Sequence, residues 1–384
     1  MRKGLLLSVL ALITACSPQD DERPLTPEVQ RLPQPVAVPE SPEYASHLST
    51  LVFQSLTTAL ESAQALNTSI RILVEAPDED RLNLAREQWR TSYSAYLTSQ
   101  AAGSIPVREP AEWYSARLTR GDLSLQMNSW PIEPGYIDYV DGYAFSGIVN
   151  DTALELTTDS LLNQHRFSDA TYVSIGYPAL EFMLWGEDGQ RSASDFDALA
   201  GKPDENTPSP VVNQQRRGQY LLLVSELLIE HLQRLQMRWS QSNGYYAQKL
   251  AEARPEKTLQ ASLLSIVRLI EDDLLDNYLA GQGSSPFSGG NRNDARALLA
   301  GIRETLLPQE PEQGIIPMMQ QPEQKPLLEA LELALADDSR CGSGWQTAIS
   351  HADGQLSCRQ QLVELLATLA QINESLGLQV PLND

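Results

Sequence analysis

Residues 44–75, YASHLSTLVFQSLTTALESAQALNTSIRILVE, decide the fold. Leu48, Leu51, Val52, Leu56, Leu60, Ala63, Leu66, Ile70 and Leu73 recur at steps of three and four, which predicts one long helix with a single buried face. The same period continues outward. Pro77 and Asp78 open a second helix that carries Leu84, Trp89, Tyr93 and Tyr96. Pro110 and Ala111 start another stretch, with Trp113 and Leu118. Further helical runs are predicted over 215–240, 259–279, 293–307, 326–336 and 356–376. No stretch alternates apolar and polar residues long enough to form a substantial sheet. The expected fold class is all-α, as two helical bundles packed together over 44–210 and 211–384. The Pro- and Gly-marked loop at 201–210 supplies the boundary.

The amino terminus reads as an export signal. Arg2 and Lys3 precede the apolar run Leu5–Ile13, which is too short for a bilayer core of about 30 Å. Ile13-Thr14-Ala15-Cys16 looks like a lipobox, with residues 1–15 removed and Cys16 acylated. Ser17, rather than Asp, at the next position favours the outer membrane, with the body facing the periplasm. Residues 16–43 hold seven prolines and few large apolar side chains, and are expected to form an extended tether.

The chain carries 50 acidic against 28 basic residues, a formal charge of −22, which argues against nucleic acid as a partner. Beyond Cys16 only Cys341 and Cys358 remain. In an exported chain this pair predicts one disulfide, contributing about 3 kcal/mol by closing its loop. The sequence shows no GxSxG elbow, no HExxH pair and no phosphate-cradling loop. His231 falls on the apolar side of its helix and reads as a packed core residue.

Three segments resemble the imelysin (M75 peptidase-like) family. They are Asn128-Ser129-Trp130-Pro131 through Tyr136 and Asp138 to Gly142, then Ser174 to Gly186 followed by Arg216-Arg217-Gly218-Gln219-Tyr220, and then Ser285-Pro286-Phe287-Ser288 leading to Gly301-Ile302-Arg303. The family's GxHxxE signature falls on Gly176 to Glu181, with Pro178 where the histidine should stand. A histidine and a glutamate three apart on a helix could share a metal or pass a proton. Proline offers neither nitrogen nor N–H, so that pair is incomplete. Pro178 does suit a first helical turn entered through Gly176.

The resemblance implies an iron-uptake-associated envelope lipoprotein, together with an older peptidase label that the missing histidine leaves without support. The expected function is a non-catalytic binding component of iron acquisition. A metallopeptidase and a structural or assembly lipoprotein of the envelope are the alternatives. Expected partners are the lipid anchor's membrane and proteins of an iron-uptake system. No cofactor is assigned, with iron or another metal ion left open. The expected cleft residues are Gly176, Glu181, Asp138, Tyr136, Arg217 and Ser288. Among these, Asp138 is the first acid to look for beside Glu181, Arg217 is read as the partner of Glu181 or Asp138 in a buried salt bridge, and Ser288 as the cap of a helix starting near Asn291. Trp130, Phe182 and Trp185 are read as core.

Overall fold

The structure, a computed structural model, describes residues 42–197, 212–280, 283–336, 341 and 352–378. The export signal, nearly all of the tether and the 201–210 loop lie outside the described residues.

The long amphipathic run forms α1, Pro42–Glu75, and all of its core positions named above are buried except Leu51, which is half-buried. The next helix, α2 (Glu79–Thr98), starts where the Asp78 side chain accepts a hydrogen bond from the amide of Arg81. That bond satisfies one of the free donors of the first turn. Four short helices follow: α3 (Gln100–Gly103), α4 (Ala111–Ser115), α5 (Arg120–Met127) and α6 (Pro134–Ile137). Thr119 and Asp122 cap α5 reciprocally, and Thr157 and Ser160 do the same for α7 (Thr158–Gln164). Next come α8 (Tyr177–Trp185) and α9 (Gln214–Arg238), then α10 (Tyr245–Glu252), α11 (Pro255–Arg268), α12 (Asn291–Leu306), α13 (Lys325–Ala334) and α14 (Ala352–Ser375). No β-strand forms among the described residues, so the fold is all-α as the periodicity predicts. None of these helices is long and apolar enough to cross a membrane.

The core is built around α1, which packs along α2 and α9. Each large apolar side chain taken out of water there contributes about 1.5–3 kcal/mol. Helix α8 is buried on all sides, every residue from Tyr177 to Trp185. It meets α2 through Trp89, whose indole N–H donates to the Tyr177 carbonyl at 3.0 Å, and through an aromatic cluster of Trp89, Tyr93, Tyr96, Tyr177 and Trp185.

Two local features position the site. Gly176 has φ +90°, and a Cβ there would lie 2.4 Å from the Met127 carbonyl oxygen. The end of α5 therefore passes directly over the entry to α8. From Leu269 to Tyr278 the chain continues α11 as a π-helix, a widened geometry found most often at functional sites. Cys341 and Cys358 are joined by a disulfide, with Cα atoms 4.8 Å apart, tying α14 to the segment after α13.

Candidate functional site

A cleft of about 530 Å³ opens where the 128–132 segment after α5, the π-helical turns 269–278 and the 283–287 loop come together. That size lies in the range of small-molecule sites, roughly 300–1,000 Å³. Two of its walls are segments that carry the family resemblance.

The walls are tied by a hydrogen-bond chain. Tyr93 of α2 places its hydroxyl 2.9 Å from Asn128 Oδ1 and 2.7 Å from Ser284 Oγ. Both oxygens are acceptors for its one proton, and the Ser284 hydroxyl is in turn hydrogen-bonded to that of Tyr278. Trp130 Nε1 donates to the same Asn128 oxygen at 3.2 Å. Burial pushes the Tyr93 and Tyr278 hydroxyls up, so both stay neutral donors. Trp130, read as core, stands half-buried on the cleft wall. Phe182 and Trp185 are core as expected.

Glu181 lies behind the 283–290 loop. Its Oε1 accepts the Ser288 amide at 2.8 Å, and Phe182 beside it packs on Phe287 with centroids 5.3 Å apart. α8 thus holds the cleft wall from the rear. Glu181 Oε2, Ser285 Oγ, Ser288 Oγ and Asp294 Oδ2 are buried polar atoms, with the Ser288 hydroxyl close to the Glu181 carboxyl and the Ser285 hydroxyl close to that of Asp294. Burial pushes the Glu181 carboxyl up to about 8; Ser288 pulls it back and nearby Asp294 adds to the rise. Burial likewise lifts Asp294, on the first turn of α12, to about 7.

The predicted site residues separate into two groups. Gly176, Glu181 and Ser288 stand together behind the cleft. Asp138, Arg217 and Tyr136 belong to a different cluster. Arg217 clasps Asp138 with two bonds, Nε to Oδ2 at 2.6 Å and Nη2 to Oδ1 at 2.9 Å. Arg191 adds a third bond at 2.8 Å and Asn150 a fourth at 3.1 Å. Burial alone would raise the Asp138 carboxyl, but Arg191 and Arg217 outweigh it and hold the group below the usual range. The buried salt bridge is therefore made with Asp138, and that acid is spent on two arginines rather than offered to Glu181. The Tyr136 hydroxyl donates to Gln164 and its ring stacks on Tyr172 at 4.5 Å, which makes it scaffold. Ser288 does not cap α12: Gly290 is the capping residue, and no side chain caps that end. His47 and His165, without evident partners in the sequence, bond the carbonyls of Glu304 and Leu125 at 2.7 and 2.9 Å. His231 is buried in the core.

An HxxE metal pair does not fit these residues. Pro178 brings no donor, and Glu181 gives one oxygen to the loop amide. Among the described residues no group of three or more His, Cys, Asp or Glu is placed to hold a metal ion. Sequence reasoning missed Tyr93, Tyr278, Ser284, Asp273 and Asp294, which reach the site from elements far apart in the chain.

Fold and cleft together define an all-helical protein whose ligand-sized pocket is walled by loops from both halves of the sequence. The chain belongs to the imelysin family: the family model for imelysin, peptidase M75, matches residues 52–375. Among solved structures it is similar to an imelysin-like protein from Psychrobacter arcticum 273-4, with TM-score 0.62 and 17% identity over 90% of this chain and 99% of that one. It is also similar to a putative iron-regulated protein A precursor from Parabacteroides distasonis ATCC 8503, with TM-score 0.61 and 13% identity over 88% and 96%. No curated protein matches the chain.

Proposed function

We propose that this chain is a lipoprotein of the bacterial envelope, acylated at Cys16 and facing the periplasm from the outer membrane, which binds a ligand in its cleft as a non-catalytic component of iron acquisition. One observation carries the binding reading. The two walls 128–132 and 283–287 enclose a cavity of about 530 Å³, while the position that would bring metal chemistry to α8 is Pro178. Hydrolysis by a bound metal needs about three protein ligands and an open position, and the residues behind the cleft do not supply them. The likeness to the putative iron-regulated protein of Parabacteroides supports the link to iron, and the family supports the setting. Iron, free or complexed, would be cargo of the system.

The test is growth of a source strain lacking the chain, in iron-depleted and iron-replete medium. The strain should be slower only under depletion. Wild-type chain should restore it, and a Cys16→Ser chain should restore it poorly and take up no labelled fatty acid. Equal growth at both iron levels would remove the iron reading. Full rescue by the unacylated chain would remove the anchor.

A further inference from the structure

Among the described residues one carboxylate lines the cleft, that of Asp273, and it has no hydrogen bond or ion pair with any of them. Its neighbours differ in this respect. Tyr278, Ser284, Asn128 and Trp130 are tied to one another through Tyr93. Arg166, the one basic residue on the lining, reaches Ser129 Oγ and the Ala170 carbonyl, each at 3.3 Å, and makes no ion pair with Asp273. Leu269, Asp273 and Asn277 are four apart and so share one side of the helix, and the wider π-helical turn carries Tyr278 to that side as well.

A part-buried carboxylate with no partner among the described residues is costly to hold charged. A ligand carrying a positive group would remove that cost. The walls beside it include the rings of Trp130, Phe287 and Tyr278, whose faces attract organic cations. A bare hard cation such as Ca²⁺ takes about six to eight oxygen ligands, and the cleft lining offers a single carboxylate.

We infer that the cleft binds an organic cation, an ammonium or guanidinium group on an apolar or aromatic body, with Asp273 as its counter-charge. The inference rests on the cleft's being the ligand site. It adds the chemical class of the ligand.

Burial and the adjacent Asp272 push the Asp273 carboxyl up to about 6. Tyr96 and Tyr278, the other titratable groups that feel its charge, are raised by burial and stay neutral. With a midpoint at about 6, the ionised fraction of Asp273 rises about tenfold between pH 5 and pH 7.

The experiment is calorimetry on the full-length chain in detergent, with phenethylammonium, its neutral analogue 2-phenylethanol, and calcium as probes. The amine should bind saturably, about tenfold more weakly at pH 5 than at pH 7, and more tightly than the alcohol. Asp273→Asn should weaken the amine at least tenfold, and Asp273→Glu should retain part of the binding. Thermal melts of the variants confirm that they fold. If the alcohol binds as tightly as the amine, or Asp273→Asn binds undiminished, the cleft is a site for neutral ligands. That outcome overturns the charge assignment and leaves the binding reading standing. No saturable amine binding by folded wild type, or displacement of the amine by calcium, also overturns the inference. The growth assay on iron reports separately on the broader function.

Discussion

Replacing Glu181 by Gln should make the protein less sensitive to alkali. Burial puts the folded-state pKa of Glu181 at about 8, against an ordinary 4.5. Between those values the folded protein holds a proton that the unfolded chain has released. Stability is then greatest below about pH 4.5 and declines as pH rises towards 8, by about 1.4 kcal/mol per pH unit for one such group. Over the whole window this amounts to about 5 kcal/mol from Glu181. Asp294, raised from 3.8 to about 7, acts in the same direction over its own window, and the two interact. Asp138 acts oppositely but only in acid, because its lowered carboxyl stabilises the fold above the ordinary carboxylate range and loses that contribution as pH falls through its folded pKa. In Glu181→Gln the oxygen that accepts the Ser288 amide is kept, while the titrating proton is gone. Guanidinium unfolding at pH 5, 6.5 and 8 and constant salt should show wild type losing several kcal/mol more than the variant across the range. At pH 8 the variant should be the more stable of the two. Parallel losses in the two proteins would refute the burial argument, because a solvent-exposed Glu181 would titrate alike folded and unfolded.

Three further outcomes follow from the packing. Asp138→Asn leaves Arg191 and Arg217 buried without their shared counter-charge, and should cost about 3–5 kcal/mol in denaturant unfolding; a loss under 1 kcal/mol would mean that water reaches the pair. Gly176→Ala places a methyl 2.4 Å from the Met127 carbonyl oxygen at φ +90°, so its melting temperature should drop by several degrees, whereas an unchanged melt would show that α5 moves freely over α8. Cys358→Ser opens the 341–358 loop and should lose about 3 kcal/mol, a figure contradicted if reduction of the wild type leaves its unfolding midpoint unchanged.

The parts of this structure that the sequence displays are those whose signal is local. α1 follows from a period of three and four. α2 starts at Asp78 because an aspartate there can meet the Arg81 amide three residues on. Gly176 and Pro178 announce a tight entry and a first helical turn within three positions. The salt bridge of Arg217 was legible only as a choice between two acids, since nothing within either segment says which the folded chain brings near. The cleft was least legible. Tyr93 meets Ser284 across 191 positions and Asn128 across 35, and neither contact leaves a periodic trace. Asp273 sits within an acidic stretch, Glu271-Asp272-Asp273, that reads as a solvated face. Which of the three faces the cleft depends on how the helix packs, which the stretch itself does not display.

The proline at 178 can be understood from what α8 does. It stands at the second residue of the helix, where a backbone N–H has no partner within the helix, so losing that donor costs little. The Gly176 carbonyl still receives the Leu180 amide at 3.1 Å, and the turn closes normally. Pro178 therefore brings no imidazole and leaves the helical turn closed. Glu181 keeps an occupation that needs no histidine: its Oε1 holds the Ser288 amide, and with Phe182 against Phe287 it fixes the loop that walls the cleft. Its burial favours the protonated state at neutral pH, which suits the clasp. The free negative charge near neutral pH lies instead across the loop, on Asp273. Helix α8 thus supports the cleft wall from behind, and in the proposed reading recognition falls to the π-helix and the two loops that face it.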